Sequence, residues 1–556
     1  MGRQDQIISE RLKKLEEMKK AGINPYPNKY EFDSYSKDIK EKYNSLKNDE
    51  RTHDIVKIAG RVMTIRDLGK LIFVTIQDQK GRIQLIFQNQ ATDKESLEIF
   101  KKYIDIGDFI GSKGTVMKSR TGEISILVKE LEILSKSLLP LPEKFHGLSN
   151  EEDRLRKRYL DIMMNEDTKE LFLKKAKFWN TIRQFLLERG FIEVETPVLE
   201  TSAGGASATP FKTHHNALDI DVYLRISMGE LWQKKLMTAG LGKTFEIGRQ
   251  FRNEGMDMEH LQDYTQMEFY WSYANYKDGM KLVEEMYKKV AIEVLGKLDF
   301  STNGHEIDLG KKWEIYDYES MIKKYTEIDI YNADENKIKE KLDELKIEYD
   351  NKIDKWALVD ILWKYTRKHL SGPGFLIGQP VDIAPLAKRN PDDKRKVEQF
   401  QVIIAGSELG NGYSELNDPI DQEERFMKQT ELKEKGDIEA QEHDIGFVEA
   451  LKYGMPPTCG FGVSERLFSY MMNKPIRECV IFPLMKPEIL EEKQLKAEKQ
   501  IEMALDKIIK EENIKTKSKK KVIKKKKINK PVSKKNKKKK VISKKQIKKK
   551  IKMKKR

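Results

Sequence analysis

Residues 251–270, FRNEGMDMEHLQDYTQMEFY, concentrate chemically active side chains on a short piece of chain. Arg252 lies two positions before Glu254, and a second carboxylate, Glu268, follows sixteen positions after the arginine. His260 and the ring of Tyr264 lie between them. A guanidinium binds oxyanions at two points, whereas a buried carboxylate requires a cation or hydrogen-bond donors. The segment therefore predicts a ligand pocket that offers a fixed cation, an aromatic surface and negative charge.

The charge of the chain is divided unevenly between its body and its carboxyl-terminal end. Residues 514–556 carry 25 of the 106 Lys and Arg residues and none of the 90 Asp and Glu residues. The preceding chain has 81 basic against 90 acidic side chains, so its formal charge is −9 although the whole chain is at +16. The high net charge therefore belongs to the tail, and the body is acidic.

Length, cysteine content and apolar pattern favour a multidomain protein of a reducing compartment. The 556 residues are enough for two or three domains with sizeable cores. Cys459 and Cys479 are too few for a disulfide framework or a Cys-rich metal site. The amino terminus is charged, and no apolar run approaches the length of a membrane helix. We therefore expect a cytoplasmic protein that does not associate with a membrane.

The first part of the chain changes from helical to strand-like periodicity. Apolar residues recur at helical spacing over residues 5–21 and stop at Gly22, which predicts an amphipathic helix. Residues 55–136 instead alternate apolar with polar side chains between glycines, as short antiparallel strands do. Such strands suit a small barrel, with a generic sheet as the alternative. Phe73 and Gln84 could share one exposed face of it, where an aromatic ring and an amide would stack on and read bases.

From residue 155 onward the pattern alternates helices with strands, and conspicuous charged segments recur beside glycines. Seven blocks follow one another along this part of the chain: LRKRYLDIMMN, ETPVL, GGASATPFKTHHNALD, FRNEG with MEFY, PLAKRNPDD, GSELGNGYSELNDP, and GFGVSERL with IRECVIFP. In order and spacing they resemble the class II aminoacyl-tRNA synthetases, and most closely the lysyl-tRNA synthetase family. The resemblance covers about residues 50–490.

The resemblance implies an α+β fold, with an amino-terminal OB-fold barrel that binds the anticodon and an antiparallel-sheet catalytic domain. It also implies a homodimer whose interface includes the Pro197 segment. We expect the following division of the chain: a helical appendage at 1–50, the OB-fold at 51–140, the catalytic domain at 150–490, a helical extension at 491–513 and a disordered Lys-rich tail at 514–556.

The family's activity is the ATP-dependent joining of an amino acid to tRNA. Activation is an in-line attack of the amino-acid carboxylate on the α-phosphate of ATP, so positioned cations are required. Arg252 matches the arginine that bridges these two groups, and Arg466 matches the one near adenine and the γ-phosphate. The remaining residues that the resemblance assigns to ATP are Glu254, His260, Tyr264 and Glu408. Glu408 with Gln401 would bind Mg²⁺.

The resemblance also assigns an amino-acid pocket. Glu268 and Glu415, with Tyr270, match positions that surround the ε-ammonium of L-lysine in the family, and a buried cation requires such compensation. The remaining assignments are Glu230 and Gly205 for the α-amino group, Asn411 and Arg252 for the carboxylate, and Arg66, Phe73 and Gln84 for the anticodon of tRNA(Lys).

Several positions depart from the family pattern. Gln401 replaces a metal-binding acid, and an amide oxygen contributes less charge to Mg²⁺. EHLQDY replaces R-H-N-P-E-F, and Gly229 replaces a proline. SER replaces the commoner IDR at Arg466. Because the arginines and the pocket acids remain, we interpret the departures as divergence within the family.

The sequence leaves other functions open. Aspartyl or asparaginyl charging is the alternative within the enzyme class, and an aspartyl enzyme would need cations at the end of the pocket. A catalytically idle RNA-binding paralogue is another. A protein-lysylating ligase is a third, although its known relatives lack the barrel. The tail has too much like charge to collapse and could tether tRNA, serve as a nuclear address or be a neutral extension.

Overall fold

The computed structural model describes residues 3–142, 148, 150–202, 204–206, 208–350, 353–434 and 443–487. The predicted helical extension at 491–513 and the Lys-rich tail at 514–556 lie outside these residues. The described chain divides into two compact units, the first comprising residues up to 142 and the second residues 148–485.

The first unit is a closed five-stranded barrel with added helices. Its strands follow one another around the barrel in the order β1-β2-β3-β5-β4, and β4 pairs back with β1. Only the β3–β5 pair is parallel. The strands are β1 (Arg51–Asp67), β2 (Leu71–Gln77), β3 (Arg82–Gln88), β4 (Phe109–Lys118) and β5 (Ile124–Ser135), and the helices are α1 (Arg3–Lys20), α2 (Ser36–Lys42) and α3 (Lys94–Tyr103).

The alternation seen in the sequence fills the barrel. Val74 and Ile76 of β2 and Leu85 and Phe87 of β3 are fully buried, while the residues between them on β2 are partly exposed. Because successive side chains of a strand point to opposite faces, one apolar set forms the core and the other faces outward.

The amino-terminal helix is anchored to the barrel. Ile8, Leu15 and Met18 lie on the buried side of α1. Arg11, also buried, donates hydrogen bonds to the carbonyl oxygens of Ile106 (2.7 Å) and Leu139 (2.8 Å). The helix predicted over residues 5–21 is thus packed through both apolar contacts and a charged side chain.

The second unit is built on an eight-stranded, mostly antiparallel sheet in the order β14-β15-β16-β17-β18-β11-β10-β6. Two smaller sheets, β7-β9-β8 and β12-β13, accompany it. The strands are β6 (Ile192–Glu193), β7 (Leu199–Glu200), β8 (Lys212–His215), β9 (Ile220–Leu224), β10 (Lys243–Phe251), β11 (Asp263–Ser272), β12 (Asp299–Thr302), β13 (His305–Asp308), β14 (Glu314–Asp317), β15 (Gly374–Ile377), β16 (Gln399–Ile404), β17 (Ser407–Ser414) and β18 (Thr458–Ser464).

Helices surround this sheet and leave part of one face open. They are α4 (Glu151–Arg156), α5 (Arg158–Met164), α6 (Glu166–Leu187), α7 (Glu230–Thr238), α8 (Tyr276–Leu295), α9 (Tyr318–Thr326), α10 (Glu335–Glu344), α11 (Lys355–Thr366), α12 (Pro419–Glu434), α13 (Ile445–Lys452) and α14 (Arg466–Met471), with 3₁₀ turns at Arg367–His369, Val381–Ile383 and Ile476–Cys479.

The long helices α6 and α8 cover one face of the sheet. Phe178 and Ile182 of α6 and Met286 of α8 are fully buried in one cluster with Phe269 and Phe461 of the sheet. A capping box at Asn275 begins α8, and Gly296 ends it in the left-handed conformation. The α+β architecture predicted from the sequence, a small barrel and a larger antiparallel-sheet unit, is confirmed.

The barrel contains a buried charge cluster whose removal should destabilise it. The fully buried Lys136 ammonium lies 2.8 Å from the fully buried Asp108 carboxylate, and it donates to the Tyr103 carbonyl at 2.7 Å. Lys136→Met should lower the free energy of unfolding by about 3–5 kcal/mol, because it leaves a buried carboxylate without its cation. Urea denaturation, with hydrogen exchange of the barrel amides, measures this.

Lys113→Met is the matched control for that substitution. Lys113 pairs with Glu130 at 2.7 Å, but both side chains are partly exposed. We expect it to change the free energy of unfolding by about 1 kcal/mol or less. Equal effects of the two substitutions would contradict the assignment of Lys136 as a structural ion pair.

Candidate active site

One cleft in the second unit gathers most of the residues that the sequence analysis singled out. It lies over β11, β17 and β18, beside α7, and its empty volume is about 1450 Å³. The predicted residues that line it are Gly205, Glu230, Arg252, His260, Tyr264, Glu268, Tyr270, Gln401, Glu408, Asn411, Glu415 and Arg466.

Strand β11 explains the spacing of the reactive side chains in residues 251–270. Tyr264, Gln266, Glu268 and Tyr270 are alternate residues of this strand, and all line the cleft. Phe269, between two of them, is buried in the core on the opposite face. Because strand side chains alternate, one short sequence supplies both a row of cleft residues and part of the core.

The floor beneath the carboxylates is a glycine of β18. Gly460 pairs with Tyr270 across the strands. A Cβ placed at Gly460 would overlap the Glu415 carboxylate and lie 2.7 Å from the Tyr270 ring. The position of both side chains therefore depends on the absence of a side chain at residue 460.

Three buried carboxylates, Glu230, Glu268 and Glu415, form what we call the acidic end of the cleft. Glu268 accepts hydrogen bonds from the Met228 amide (3.0 Å), the Gln266 side chain (2.7 Å) and the Tyr270 hydroxyl (3.0 Å). Burial, together with the Glu230 charge, nevertheless raises the pKa of Glu268 to about 7. The carboxylate is thus held firmly in a place where its charge lacks a full counterion.

Sequence reasoning missed the cation of this end, Lys234. Its ammonium lies 2.7 Å from Glu230 and 2.6 Å from Glu415, and the side chain is 1% exposed. The Tyr413 hydroxyl donates to the same Glu230 carboxylate. Lys234 follows Glu230 by four positions, so their helical spacing was a signal that could have paired them.

The middle of the cleft carries the residues assigned to the amino-acid carboxylate and α-amino group. Arg252 donates to the Ile226 carbonyl at 3.3 Å, and its guanidinium lies 5.9 Å from the centre of the Tyr264 ring. Gly205 has a φ of +86°, and a Cβ there would lie 2.6 Å from the Ser227 hydroxyl. Asn411 accepts from the Gln399 amide at 2.8 Å.

Arg466 and His260 form the opposite, cationic end. The Arg466 guanidinium lies 3.3 Å from His260 Nε2 and contacts the Glu408 carbonyl. This end also holds Glu259, which sequence reasoning did not select. It accepts from the Tyr470 (2.7 Å) and Ser407 (2.9 Å) hydroxyls and lies 3.6 Å from Arg466.

Glu259 remains ionised in this setting. Burial works to raise its pKa, but the Tyr470 hydroxyl and the Arg466 charge outweigh burial and hold the pKa below its usual value. No spacing rule marked this residue, because the contacts come from β17 and α14, more than a hundred positions along the chain.

The predicted metal ligands are adjacent. One Glu408 oxygen accepts from the Trp363 indole at 2.6 Å, and the other accepts from the Gln401 amide at 3.2 Å. A carboxylate and an amide oxygen fit Mg²⁺, and the two ends of an amide are interchangeable in position. The described residues contain no group of three or more His, Cys, Asp or Glu side chains arranged for a metal ion. The pair therefore fits a Mg²⁺ that other oxygens also hold.

Glu254 is the predicted ATP residue that the structure does not bring to the cleft wall. It lies exposed after Arg252, and its carboxylate accepts from the Thr209 amide at 3.2 Å. Glu254 thus lies outside the lining of the cleft, although Arg252 and His260 on either side of it in the sequence both line it.

The barrel carries the other predicted group on its outer surface. Arg66 pairs with Phe73 across β1 and β2, and Thr75, two residues after Phe73, pairs with Gln84 on β3. Arg66 is exposed, and Phe73 and Gln84 are partly exposed. Gln84 accepts from the Ser125 hydroxyl at 3.0 Å. The three residues thus occupy neighbouring strands of one outer face.

None of the helices in the described part of the chain combines the length and apolar character needed to cross a membrane.

Comparison with known proteins covers both units. A family profile described as tRNA synthetases class II (D, K and N) matches residues 150–486, and one described as an OB-fold nucleic acid binding domain matches residues 56–134. The lysine–tRNA ligase of Thermotoga maritima is 43% identical over 492 residues, which are 88% of this chain and 98% of that protein.

Two further relatives match this chain over a similar share of its length. The lysine–tRNA ligase of Thermosipho africanus is 42% identical over 88% of this chain and 98% of its own. That of Thermoanaerobacter pseudethanolicus is 43% identical over 87% of this chain and 97% of its own. The resemblance stated from the motifs is confirmed, and the chain belongs to the class II tRNA synthetases.

Proposed function

We propose that this chain is a lysyl-tRNA synthetase, which attaches L-lysine to tRNA(Lys) through an enzyme-bound lysyl-adenylate and releases AMP and diphosphate. The observation that carries the proposal is the acidic end of the cleft, where Glu230, Glu268 and Glu415 are all buried. Three buried carboxylates destabilise an empty pocket and favour a cationic ligand, and L-lysine carries two ammonium groups.

The same end argues against an acidic substrate. An aspartate side chain would bring a further negative charge beside carboxylates that already have too few counterions, and like charges at such distances are strongly unfavourable in a buried site. Asparagine has no side-chain ammonium, so Lys234 and the α-ammonium would be the cations opposite three carboxylates. Lysine is therefore the amino acid that this cleft supports among those that the family uses.

Activation would take place where Arg252 and Arg466 face the cleft. A lysine carboxylate oxygen attacks the α-phosphorus of ATP, the new P–O bond forms as the bond to the leaving diphosphate breaks, and negative charge develops on phosphate oxygens. Arg252 would bridge the attacking carboxylate and the α-phosphate, because its planar fork binds two oxyanions at once. Tyr264 would stack on adenine, and His260 and Arg466 would contact the γ-phosphate.

Mg²⁺ would supply positive charge to the phosphate oxygens. Glu408 and Gln401 would hold it together with those oxygens, since Mg²⁺ commonly uses one or two protein ligands beside phosphates. The protein's own contribution here is to fix the Glu408 carboxylate, which the Trp363 indole orients.

In the second step a terminal hydroxyl of the tRNA attacks the activated carbonyl, and AMP leaves. Arg66, Phe73 and Gln84 would hold the anticodon on the barrel, with Phe73 as a stacking surface and Arg66 as a cation for the backbone. We further propose a cytoplasmic homodimer. Its interface would include the segment after Pro197, where Val198 (42%) and Leu199 (49%) leave apolar surface exposed.

Lysine recognition is tested by ATP–pyrophosphate exchange. L-Lysine should stimulate exchange, and aspartate and asparagine should not. Glu268→Gln should raise the KM for lysine about tenfold or more, because a charge-assisted hydrogen bond contributes about 1.5–3 kcal/mol. Glu188→Gln, at an exposed position after α6, is the control and should leave exchange unchanged. Stimulation by aspartate alone would refute the proposed substrate.

Anticodon binding is tested by separating the two steps. Phe73→Ala and Gln84→Ala should weaken charging of tRNA(Lys) while leaving pyrophosphate exchange intact, because a stacked base is worth about 1–3 kcal/mol. Ile55→Ala, at an exposed barrel position, is the control. Equal losses in both steps would show that the two residues support the fold and do not bind RNA.

The metal requirement is tested at Gln401. Gln401→Glu adds a carboxylate beside Glu408 and should lower the Mg²⁺ concentration needed for half-maximal exchange, since charge on the ligands strengthens Mg²⁺ binding. The measurement is a Mg²⁺ titration at fixed ATP. An unchanged midpoint would mean that residue 401 does not contact the metal.

A further inference from the structure

Lys234 is a buried cation placed wholly within the acidic end. Its ammonium pairs with Glu230 on its own helix and with Glu415 after β17, and it lies 5.3 Å from the centre of the Tyr413 ring and 5.7 Å from that of Phe447. Burial works to lower the pKa of Lys234, but the two carboxylates outweigh it and raise the pKa. The side chain is therefore a buried positive charge behind the carboxylates that line the cleft.

Counting the charges of this end gives a definite balance. Glu230, Glu268 and Glu415 contribute three negative charges, and Lys234 contributes one positive charge. The formal sum is −2, and L-lysine carries two ammonium groups besides the carboxylate that Arg252 would hold. A cleft filled by lysine would thus be neutral at its acidic end, which is the condition under which buried charges are least costly.

Lys234 is poorly explained as a stabilising core residue. A buried ion pair seldom stabilises a fold more than a well-packed apolar side chain of the same volume. Its ion pairs are made with two carboxylates that line the ligand cleft, and they join α7 to the segment after β17. These contacts therefore fix the positions and balance the charge of Glu230 and Glu415.

We propose that Lys234 is a positioning residue that determines specificity for lysine, because it fixes Glu230 and Glu415 and sets the acidic end to the charge that L-lysine neutralises. The inference rests on the proposed function and extends it to a residue that would not touch the reacting atoms. Without Lys234 the three carboxylates would repel one another more strongly and retain protons to a higher pH, and lysine would have to displace these protons to bind.

The pH dependence of the KM for lysine distinguishes a charge role of Lys234 from a purely structural one. The groups that contact Lys234 are Glu230 from α7, Glu415 after β17, and the rings of Tyr413 from β17 and Phe447 from α13, while the charge of Glu268 from β11 acts on Glu415. Burial, partly offset by Lys234, raises the pKa of Glu415 to about 8. Loss of the ammonium should raise the carboxylate pKa values further, so that ionisation is complete only at higher pH.

The experiment compares the KM for lysine in pyrophosphate exchange between about pH 6.5 and 8.5 in the variant and the unmodified enzyme, so that the partial deprotonation of the α-ammonium of free lysine over this range affects both equally. Lys234→Met should raise that KM about tenfold or more at pH 7, because each unit added to a carboxylate pKa lowers its ionised fraction tenfold. The ratio to the unmodified enzyme should shrink as the pH rises, while the KM for ATP stays within about twofold.

Lys235→Met is the matched control. Lys235 is the next residue of α7, is partly exposed and lies 3.8 Å from Asp444, a carboxylate that does not line the cleft. It should leave the KM for lysine unchanged at every pH. An unchanged KM in Lys234→Met, or a ratio that is the same across the pH range, would overturn the proposal, since a merely structural residue would produce the latter.

A second variant keeps the proposal testable if Lys234→Met does not fold. Lys234→Gln keeps a hydrogen-bond donor between the carboxylates and removes the charge, so it should show the same narrowing ratio with a smaller loss of thermal stability. A Gln variant with unmodified pH dependence would refute the charge role. If the unmodified enzyme shows no lysine-dependent exchange, the proposed function fails instead, so the two failures are distinguishable.

Discussion

The cost of burying charge governs the organisation of the second unit. Three carboxylates lie at one end of the cleft and a guanidinium at the other, and each has been removed from water only where other groups partly replace it. At the acidic end the replacements are Lys234, three donors to Glu268 and the Tyr413 hydroxyl. At the cationic end Arg466 pairs with Glu259 and donates a hydrogen bond to the Glu408 carbonyl. A zwitterionic ligand is thus given a fixed orientation, with its ammonium groups toward the three carboxylates and its anionic groups toward Arg466.

The open sheet is well suited to that demand. Strand β11 places Glu268 on one face and Phe269 on the other, so the carboxylate that faces the cleft is anchored by the core directly behind it. A carboxylate on a loop would lose its position when unpaired. Because the sheet fixes β11, the unfavourable charge of Glu268 is maintained by the packing of α6 and α8 against the opposite face.

Sequence reasoning predicted what lies along single elements and missed what different elements bring together. The period of two in residues 55–136 indicated the strands of the barrel. Residues 263–272 were selected for their side-chain chemistry, and strand β11 of the structure shows which of them face the cleft. Lys234 and Glu259 have meaning only through partners on other elements, Glu415 and Arg466, and no local pattern encodes such distances. Glu254, which the resemblance assigned to ATP, lies outside the lining of the cleft and accepts from the Thr209 amide, and its role stays a prediction.

The glycine floor limits how this cleft could change its amino acid over evolutionary time. Every substitution at Gly460 adds at least one carbon atom, and that atom would overlap the Glu415 carboxylate and press on the Tyr270 ring. No single step at this position can therefore adjust the pocket gradually, because the smallest step already displaces two of the groups that define it. A lineage that altered its substrate would instead have to change the side chains that line the cleft, such as Glu230 on α7 and Glu268 on β11, which can shorten or lose charge without adding atoms.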